Sequence, residues 1–130
     1  MNRAEEILLD LLALCPAFLH TWENEREFGR DEYGVHTVCG VFAILSHYVA
    51  DRLHAGDTRQ LEKLFQYIED QMLDDSIYYD IAYCFLENIM NRIPDIIDPK
   101  TFVPLLGPLS KQYCRQLDAA WGTDYLGLRE

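Results

Sequence analysis

The stretch that decides the fold is YGVHTVCGVFAILSHYVA, residues 33–50, which contains no Asp, Glu, Lys or Arg. Its apolar residues fall on nearly every side of a helix, which is typical of an element enclosed by its neighbours. Histidine, threonine, glycine and serine interrupt the run, so a buried central helix over about residues 35–55 explains it better than a membrane span. Gly56 follows as a C-terminal cap.

Helical periodicity continues on the N-terminal side of this segment. Apolar residues at helical spacing predict a first helix over about residues 3–15, with Asn2 as its cap and Glu5 at the capping-box position. Pro16 suits the first turn of a shorter second helix, which Phe28-Gly29 ends.

Polar and proline-containing segments divide the chain after the central helix. Asp57 is predicted to cap a fourth helix, and Asp74-Asp75-Ser76 to begin a fifth. Asp98-Pro99 and Gly107-Pro108 each place a proline at the first position of a further helix.

No segment carries a strand pattern, so the predicted fold is all-α: a compact bundle of six to seven helices in antiparallel hairpins. Residues 1–130 are expected to form a single helical domain. A HEAT-like stack of helices three to five is the alternative, although no convincing repeat of about 40–47 residues supports it. The tail, residues 123–130, is expected to be loose, although Tyr125, Leu126 and Leu128 could dock it.

Charge and composition limit the classes of partner. The 130 residues include 22 acids and 11 bases, which gives a formal net charge of −11, and 49% of them are hydrophobic. That apolar content is too high for an acidic disordered chain, so the charge lies on a folded surface. Nucleic acids and anionic membranes require a cationic surface, which leaves a basic protein as the expected partner.

The four cysteines are widely spaced and form no CxxC pair. Cys15, Cys39, Cys84 and Cys114 lie at least 24 residues apart. This spacing differs from the crowded cysteines of small secreted domains, so it predicts four reduced, mostly buried thiols and a cytoplasmic location.

The most distinctive charge pattern lies between Lys63 and Arg92, where 28 residues contain six acids and no Lys or Arg. Tyrosines that could reach the surface are interleaved with these acids, and Tyr78 and Tyr79 are consecutive, so a helix cannot bury both fully. Carboxylates can attract a cationic partner, and aromatic rings can supply contact energy. The candidate partner-binding residues are Glu69, Asp70, Asp74, Asp75, Tyr78, Tyr79 and Asp80.

A second candidate site is the set His47, Asp51 and His54, whose spacing places all three on one helical face, as a metal site would require. A structural role near the end of the helix explains them better. Cys39 with His36 could in principle form a nucleophile and base, but no third group is evident. The sequence therefore predicts no catalytic residue, no cofactor and no metal.

Helix punctuation and core residues also carry a resemblance to a known family. They are Gly56-Asp57-Thr58, Leu61, Leu64, Phe65, Ile68, Glu69, Phe85-Leu86-Glu87-Asn88-Ile89, Leu106-Gly107-Pro108 with Ser110, Leu117 and Trp121-Gly122. The chain resembles, over about residues 5–122, a group of small acidic all-helical bacterial proteins of unassigned function that look like immunity proteins of toxin systems. The resemblance implies a fold and an inhibitory role, and it implies no catalytic residue.

Three functional hypotheses follow. The first is a non-enzymatic, cytoplasmic binding protein that sequesters or inhibits a basic partner, such as a cognate toxin. The second is a HEAT-like adaptor or scaffold module, and the third is a metal-dependent enzyme that uses His47, Asp51 and His54. Acids also occur elsewhere, so the docking face could instead lie around Glu23–Glu32. The oligomeric state is left open.

Overall fold

Helices make up nearly all the regular structure of the computed structural model, which describes residues 1–128. The helices are α1 (Arg3–Leu14), α2 (Phe18–Glu25), α3 (Val38–His54), α4 (Leu61–Gln71), α5 (Asp75–Ile81), α6 (Glu87–Met90), α7 (Pro99–Phe102) and α8 (Pro108–Ala120). A π-helical turn, Ala82–Leu86, joins α5 to α6, and 3-10 turns follow α2 (Arg26–Gly29) and α7 (Val103–Leu105). With α5 and α6 counted as one helix, the predicted all-α bundle of six to seven helices is confirmed over residues 1–128.

The predicted central helix is α3. It contacts α1, α2, the first 3-10 turn, α5, the π-helical turn and α6, and side chains on several sides of it, including Val41, Ile44 and Leu45, are fully buried. It begins at Val38 rather than near residue 35, because the Thr37 hydroxyl accepts a hydrogen bond from the Gly40 N–H at 2.9 Å and so caps the first turn. Gly56 follows its end with a φ of +72°.

One hydrophobic core draws side chains from all the longer helices. Its large aromatic members, Phe18, Phe42, Phe65, Phe85 and Phe102, are buried, and the last four are linked by edge-on ring contacts. Along residues 1–128, no helix is long and apolar enough to cross a membrane.

Most predicted helix caps are confirmed, and one is wrong. The carboxylates of Asp74 and Asp98 accept hydrogen bonds from the first-turn N–H groups of α5 and α7, as predicted. Asp57 does not cap α4, because that helix begins only at Leu61. The Asp57 carboxylate instead accepts two hydrogen bonds from the Arg59 guanidinium, at 3.0 and 3.2 Å.

The prediction of four reduced cysteines is wrong for two of them. Cys39, in the first turn of α3, forms a disulfide with Cys84 in the π-helical turn, and the two Cα atoms are 5.4 Å apart. The packing of α3 against this turn brings together residues that are 45 positions apart, and sequence spacing cannot show such proximity. Cys15 and Cys114 are free and buried, as predicted.

The C-terminal tail is held against the bundle as far as the structure describes it. Asp118 is buried, and its carboxylate accepts hydrogen bonds from the N–H groups of Tyr125 (3.2 Å) and Leu126 (3.1 Å) and from the Thr123 hydroxyl. The Leu126 side chain is buried in the core. The docking that the sequence allowed is thus present, and residues 129–130 of the predicted loose tail lie outside the described residues.

Candidate partner-binding surface

Four tyrosines form a continuous row across α5, the π-helical turn and α8. Tyr78 and Tyr79 are in edge-on contact, with ring centroids 5.1 Å apart, and Tyr79 stacks on Tyr83 at 5.3 Å with the ring planes 30° apart. Tyr83 meets the edge of Tyr113 at 6.3 Å. We call these four residues the tyrosine row. Its two central members, Tyr79 and Tyr83, are 60% and 54% exposed.

Helical spacing explains why the two central tyrosines face outward. Ile77, Ile81 and Phe85 take the inward positions of the helix and are buried in the core. Tyr79 and Tyr83 are four residues apart, which places them one turn apart on the opposite side. The order of the inner stripe therefore fixes the exposure of the row.

Carboxylates lie at both ends of the tyrosine row. Asp75 is exposed and precedes Tyr79 by one turn, and its carboxylate has no hydrogen bond or ion pair with any residue in 1–128. At the other end, the Tyr113 hydroxyl donates to Glu87 at 3.4 Å. Burial, and then the charge of Glu87, raises the pKa of Tyr113 above its usual value.

Glu69 stabilises the start of α8, the helix that carries Tyr113. Its carboxylate accepts hydrogen bonds from the Leu109 N–H (2.6 Å), the Ser110 N–H (3.0 Å) and the Ser110 hydroxyl (2.8 Å), which caps the start of α8. A Cβ atom at Gly107 would lie 2.6 Å from this side chain, so a larger residue there would push the Glu69 carboxylate out of its present position. Glu69 therefore fixes the helix that carries Tyr113, and both its carboxylate oxygens are already hydrogen-bonded.

The remaining predicted acids have different surroundings. Asp74 accepts from the Ser76 N–H and hydroxyl, which lowers the pKa of its carboxyl group, and it lies 3.9 Å from Arg3. Asp70 is exposed and accepts from the Gln66 amide at 3.0 Å. Asp80 is half-buried, which raises its pKa, and it lies on a different side of α5 from Asp75.

The structure thus brings three of the seven predicted residues, Asp75, Tyr78 and Tyr79, together in or beside the tyrosine row. Glu69 and Asp74 hold helix ends close to it, whereas Asp70 lies on α4 and Asp80 on another side of α5. The role of all seven in partner binding stays a prediction.

The alternative acidic face, around Glu23–Glu32, covers the end of α2, the first 3-10 turn and the start of the loop after it, and it carries protruding aromatic side chains. Phe28 and Tyr33 are more than 80% exposed. The Asp31 carboxylate accepts hydrogen bonds from the N–H groups of Tyr33 and Val35, which fixes the turn. Glu27, in the 3-10 turn, pairs with Arg30 at 3.1 Å, so part of this face's negative charge is already neutralised.

The three residues of the candidate metal site each have separate surroundings. His47 pairs with Glu25, whose carboxylate oxygen lies 2.6 Å from Nδ1, and His54 Nδ1–H donates to the Ile96 carbonyl oxygen at 2.8 Å. Asp51 is exposed. Over residues 1–128, no group of three or more His, Cys, Asp or Glu side chains is arranged to hold a metal ion. Cys39, the candidate nucleophile, is bonded to Cys84.

Comparison with known proteins identifies a family. Residues 8–122 match a family described as "Domain of unknown function (DUF7674)". The chain belongs to this family. No curated protein and no solved structure matches the chain.

The DUF7674 match covers the whole candidate surface. It begins within α1 and ends just after α8, so it includes the tyrosine row, Asp75, Glu87 and Glu69. Membership of a family without an assigned function confirms the coarser part of the resemblance drawn from the sequence. The likeness to immunity proteins remains a matter for proposal.

Two features of the surface were missed by reasoning from sequence. Tyr113 is 30 residues from Tyr83 along the chain, and the cap that Glu69 provides joins residues 40 and 41 positions apart. Both depend on how α8 packs, and no local spacing indicates them. One signal for the Glu69 cap was available. The helix that starts at Gly107-Pro108 has no capping side chain of its own, so its first N–H groups need an acceptor from another part of the chain.

Proposed function

We propose that this DUF7674 protein is a non-enzymatic binding protein that sequesters a basic partner protein. The observation that carries the proposal is the exposed, stacked pair Tyr79 and Tyr83 beside Asp75, whose carboxylate has no partner within residues 1–128. Aromatic side chains supply much of the contact energy of protein interfaces, and carboxylates accelerate association with cationic partners.

The contacts that hold the tyrosine row in place favour a binding surface over an ordinary solvent-exposed helix face. Tyr78 is half-buried against the core, Tyr113 is bonded to Glu87, and Glu69 fixes the start of α8. The central rings are therefore held in place before a partner arrives, which lowers the entropy lost on binding. The segment between Lys63 and Arg92 contains no base, and within residues 1–128 no cation pairs with Asp75, so this carboxylate can attract an external cation.

The finer proposal is that the partner is a cognate toxin and that this chain is its immunity protein. Toxins that cut nucleic acids are basic where they contact phosphate, and an acidic protein with a net charge of −11 complements such a site. The cytoplasmic location belongs to the same proposal. The cytoplasmic location was predicted partly from reduced cysteines, and the Cys39–Cys84 bond removes that argument, because disulfides persist mainly in oxidising compartments.

Charge reversal at Asp75 tests the proposal. In Asp75→Lys we expect association with the purified partner to slow by about tenfold at low salt and to approach the wild-type rate at high salt, because steering is screened. Surface plasmon resonance measures both rates. Asp95→Lys, at an exposed position after α6, makes the same charge change as a control. Equal association rates for the two variants would place the partner elsewhere on the chain.

An adaptor function is the second candidate, and the Phe28–Tyr33 loop is the observation that favours it. A protein that joins two others needs two surfaces, and this loop presents a second pair of exposed aromatic rings. The two functions differ in their effect on the partner: a sequestering protein inhibits its activity, whereas an adaptor leaves that activity intact. An activity assay of the partner with and without this chain distinguishes them.

A further inference from the structure

We infer that the tyrosine row selects arginine rather than lysine side chains on its partner. This inference rests on the proposed function and specifies the chemistry of the contact. It follows from the geometry of Tyr79, Tyr83 and the carboxylates at either end of the row.

The ring faces are the first element of this selectivity. Tyr79 and Tyr83 stack with one face of each ring turned toward the other, and the residues stay 60% and 54% exposed, so aromatic surface beyond the stacked contact remains open to a partner. A guanidinium group is planar and weakly hydrated, and it can stack on such a surface. An ammonium group is compact and strongly hydrated, so it gains less from the same rings.

The carboxylates are the second element. A guanidinium group has five N–H donors in one plane, and a stacked arginine directs them sideways, along the ring surface. Asp75 lies one turn from Tyr79, and Glu87 lies beside Tyr113 at the other end of the row. Acceptors therefore occur at the edges of the row, where a stacked guanidinium can donate to them.

The surrounding charge is the third element. Residues 64–91 carry six acids and no Lys or Arg, so no base within this segment can occupy the ring faces. Aliphatic or aromatic side chains of a partner would also cover the rings, but they would leave Asp75 without a counterion. Charge complementarity therefore favours a cationic occupant.

Two short peptides of equal charge, hexa-arginine and hexa-lysine, test the inference. We expect hexa-arginine to bind about threefold to tenfold more tightly in calorimetric titrations at 50 mM salt, in line with a cation–π contribution at an exposed site. In NMR spectra of the wild-type chain, hexa-arginine should shift the ring protons of Tyr79 and Tyr83 more than hexa-lysine does.

Three variants separate stacking from simple attraction. The double variant Tyr79→Leu/Tyr83→Leu should lose the preference, so that both peptides bind with the affinity of hexa-lysine. Tyr79→Phe/Tyr83→Phe keeps the ring faces and should retain the preference. Asp75→Asn should weaken both peptides and leave their ratio above one. Tyr125→Leu, at an exposed aromatic position in the C-terminal tail, is the control and should change nothing.

Several results would overturn the inference: equal affinities of the two peptides for the wild-type chain, a preference that survives in the double leucine variant, or no binding of either peptide. The NMR shifts need no variant, so they decide the matter even if a substitution impairs folding. The proposed function is judged separately by the charge of the captured partner. A basic partner with no arginine preference would therefore sink this inference alone.

Discussion

Glu69 is predicted from the sequence to bind a partner, but in the structure its side chain stabilises the fold. Its position in the acidic segment predicts a partner contact, whereas its carboxylate accepts three hydrogen bonds at the start of α8. The sequence identifies it as an acid near a helix end, but its bonding partners lie about 40 residues away. A carboxylate committed to internal donors is a positioning group for Tyr113.

Replacing Glu69 with alanine should therefore destabilise the fold. Glu69→Ala removes the acceptor of the Leu109 and Ser110 N–H groups, and we expect the free energy of unfolding to fall by about 2 kcal/mol. Urea denaturation followed by circular dichroism measures this. Glu62→Ala, at an exposed position on α4, is the control and should change stability little. A loss no larger than that of the control would show that the cap is dispensable.

Asp74 should contribute a pH-dependent part of the stability. Hydrogen bonds from Ser76 lower the pKa of this carboxyl group below its unfolded value of 3.8, so its charged form favours the folded state above that pH. The contribution is lost as the pH falls through the lower, folded pKa. We expect the stability difference between wild type and Asp74→Asn to shrink from pH 6 to pH 3 in thermal melts. A difference that stays constant over this range would contradict the assignment.

At the scale of the element, local signals were enough for most helix boundaries. Asp74 and Asp98 are helix caps in both the sequence prediction and the structure, because a cap depends on residues within one turn. Asp57 failed because Arg59 takes its carboxylate and α4 begins after Gln60, which has a φ of +69°. Competition for one acceptor between a guanidinium group and backbone N–H groups is hard to settle from sequence.

The link between α3 and the π-helical turn was beyond prediction, and it is directly testable. When the protein is unfolded without reductant, alkylation should label two cysteines, Cys15 and Cys114, and reductant should raise the number to four. Reduction should also lower the free energy of unfolding by up to about 4 kcal/mol, because the disulfide closes a loop of 45 residues.

The double variant Cys39→Ser/Cys84→Ser serves as the control for this effect. Its stability should be insensitive to reductant, since its remaining cysteines are separate buried thiols. Four labelled cysteines in the unreduced wild-type protein would show that the bond does not form under the conditions used.

For the whole molecule, the sequence predicted the class of fold and located part of the candidate surface. The consecutive Tyr78 and Tyr79 indicated that at least one of them reaches the surface, and the absence of bases between Lys63 and Arg92 drew attention to six acids, Asp75 among them. The other end of the surface, with Tyr113 and Glu87, depends on the packing of α8. The acidic chain, with its net charge of −11, thus has one candidate binding surface, in which stacked aromatic rings lie between two carboxylates.

The central claim is that the tyrosine row and Asp75 bind a basic protein, and affinity capture from the source cells tests it most directly. Three tagged proteins are compared by quantitative mass spectrometry: wild type, Asp95→Lys, and a surface variant that combines Asp75→Lys with Tyr79→Ala and Tyr83→Ala. We predict that wild type and Asp95→Lys retain the same basic protein and that the surface variant retains at least tenfold less. Equal retention by all three proteins, or a captured partner that is acidic, would contradict the account.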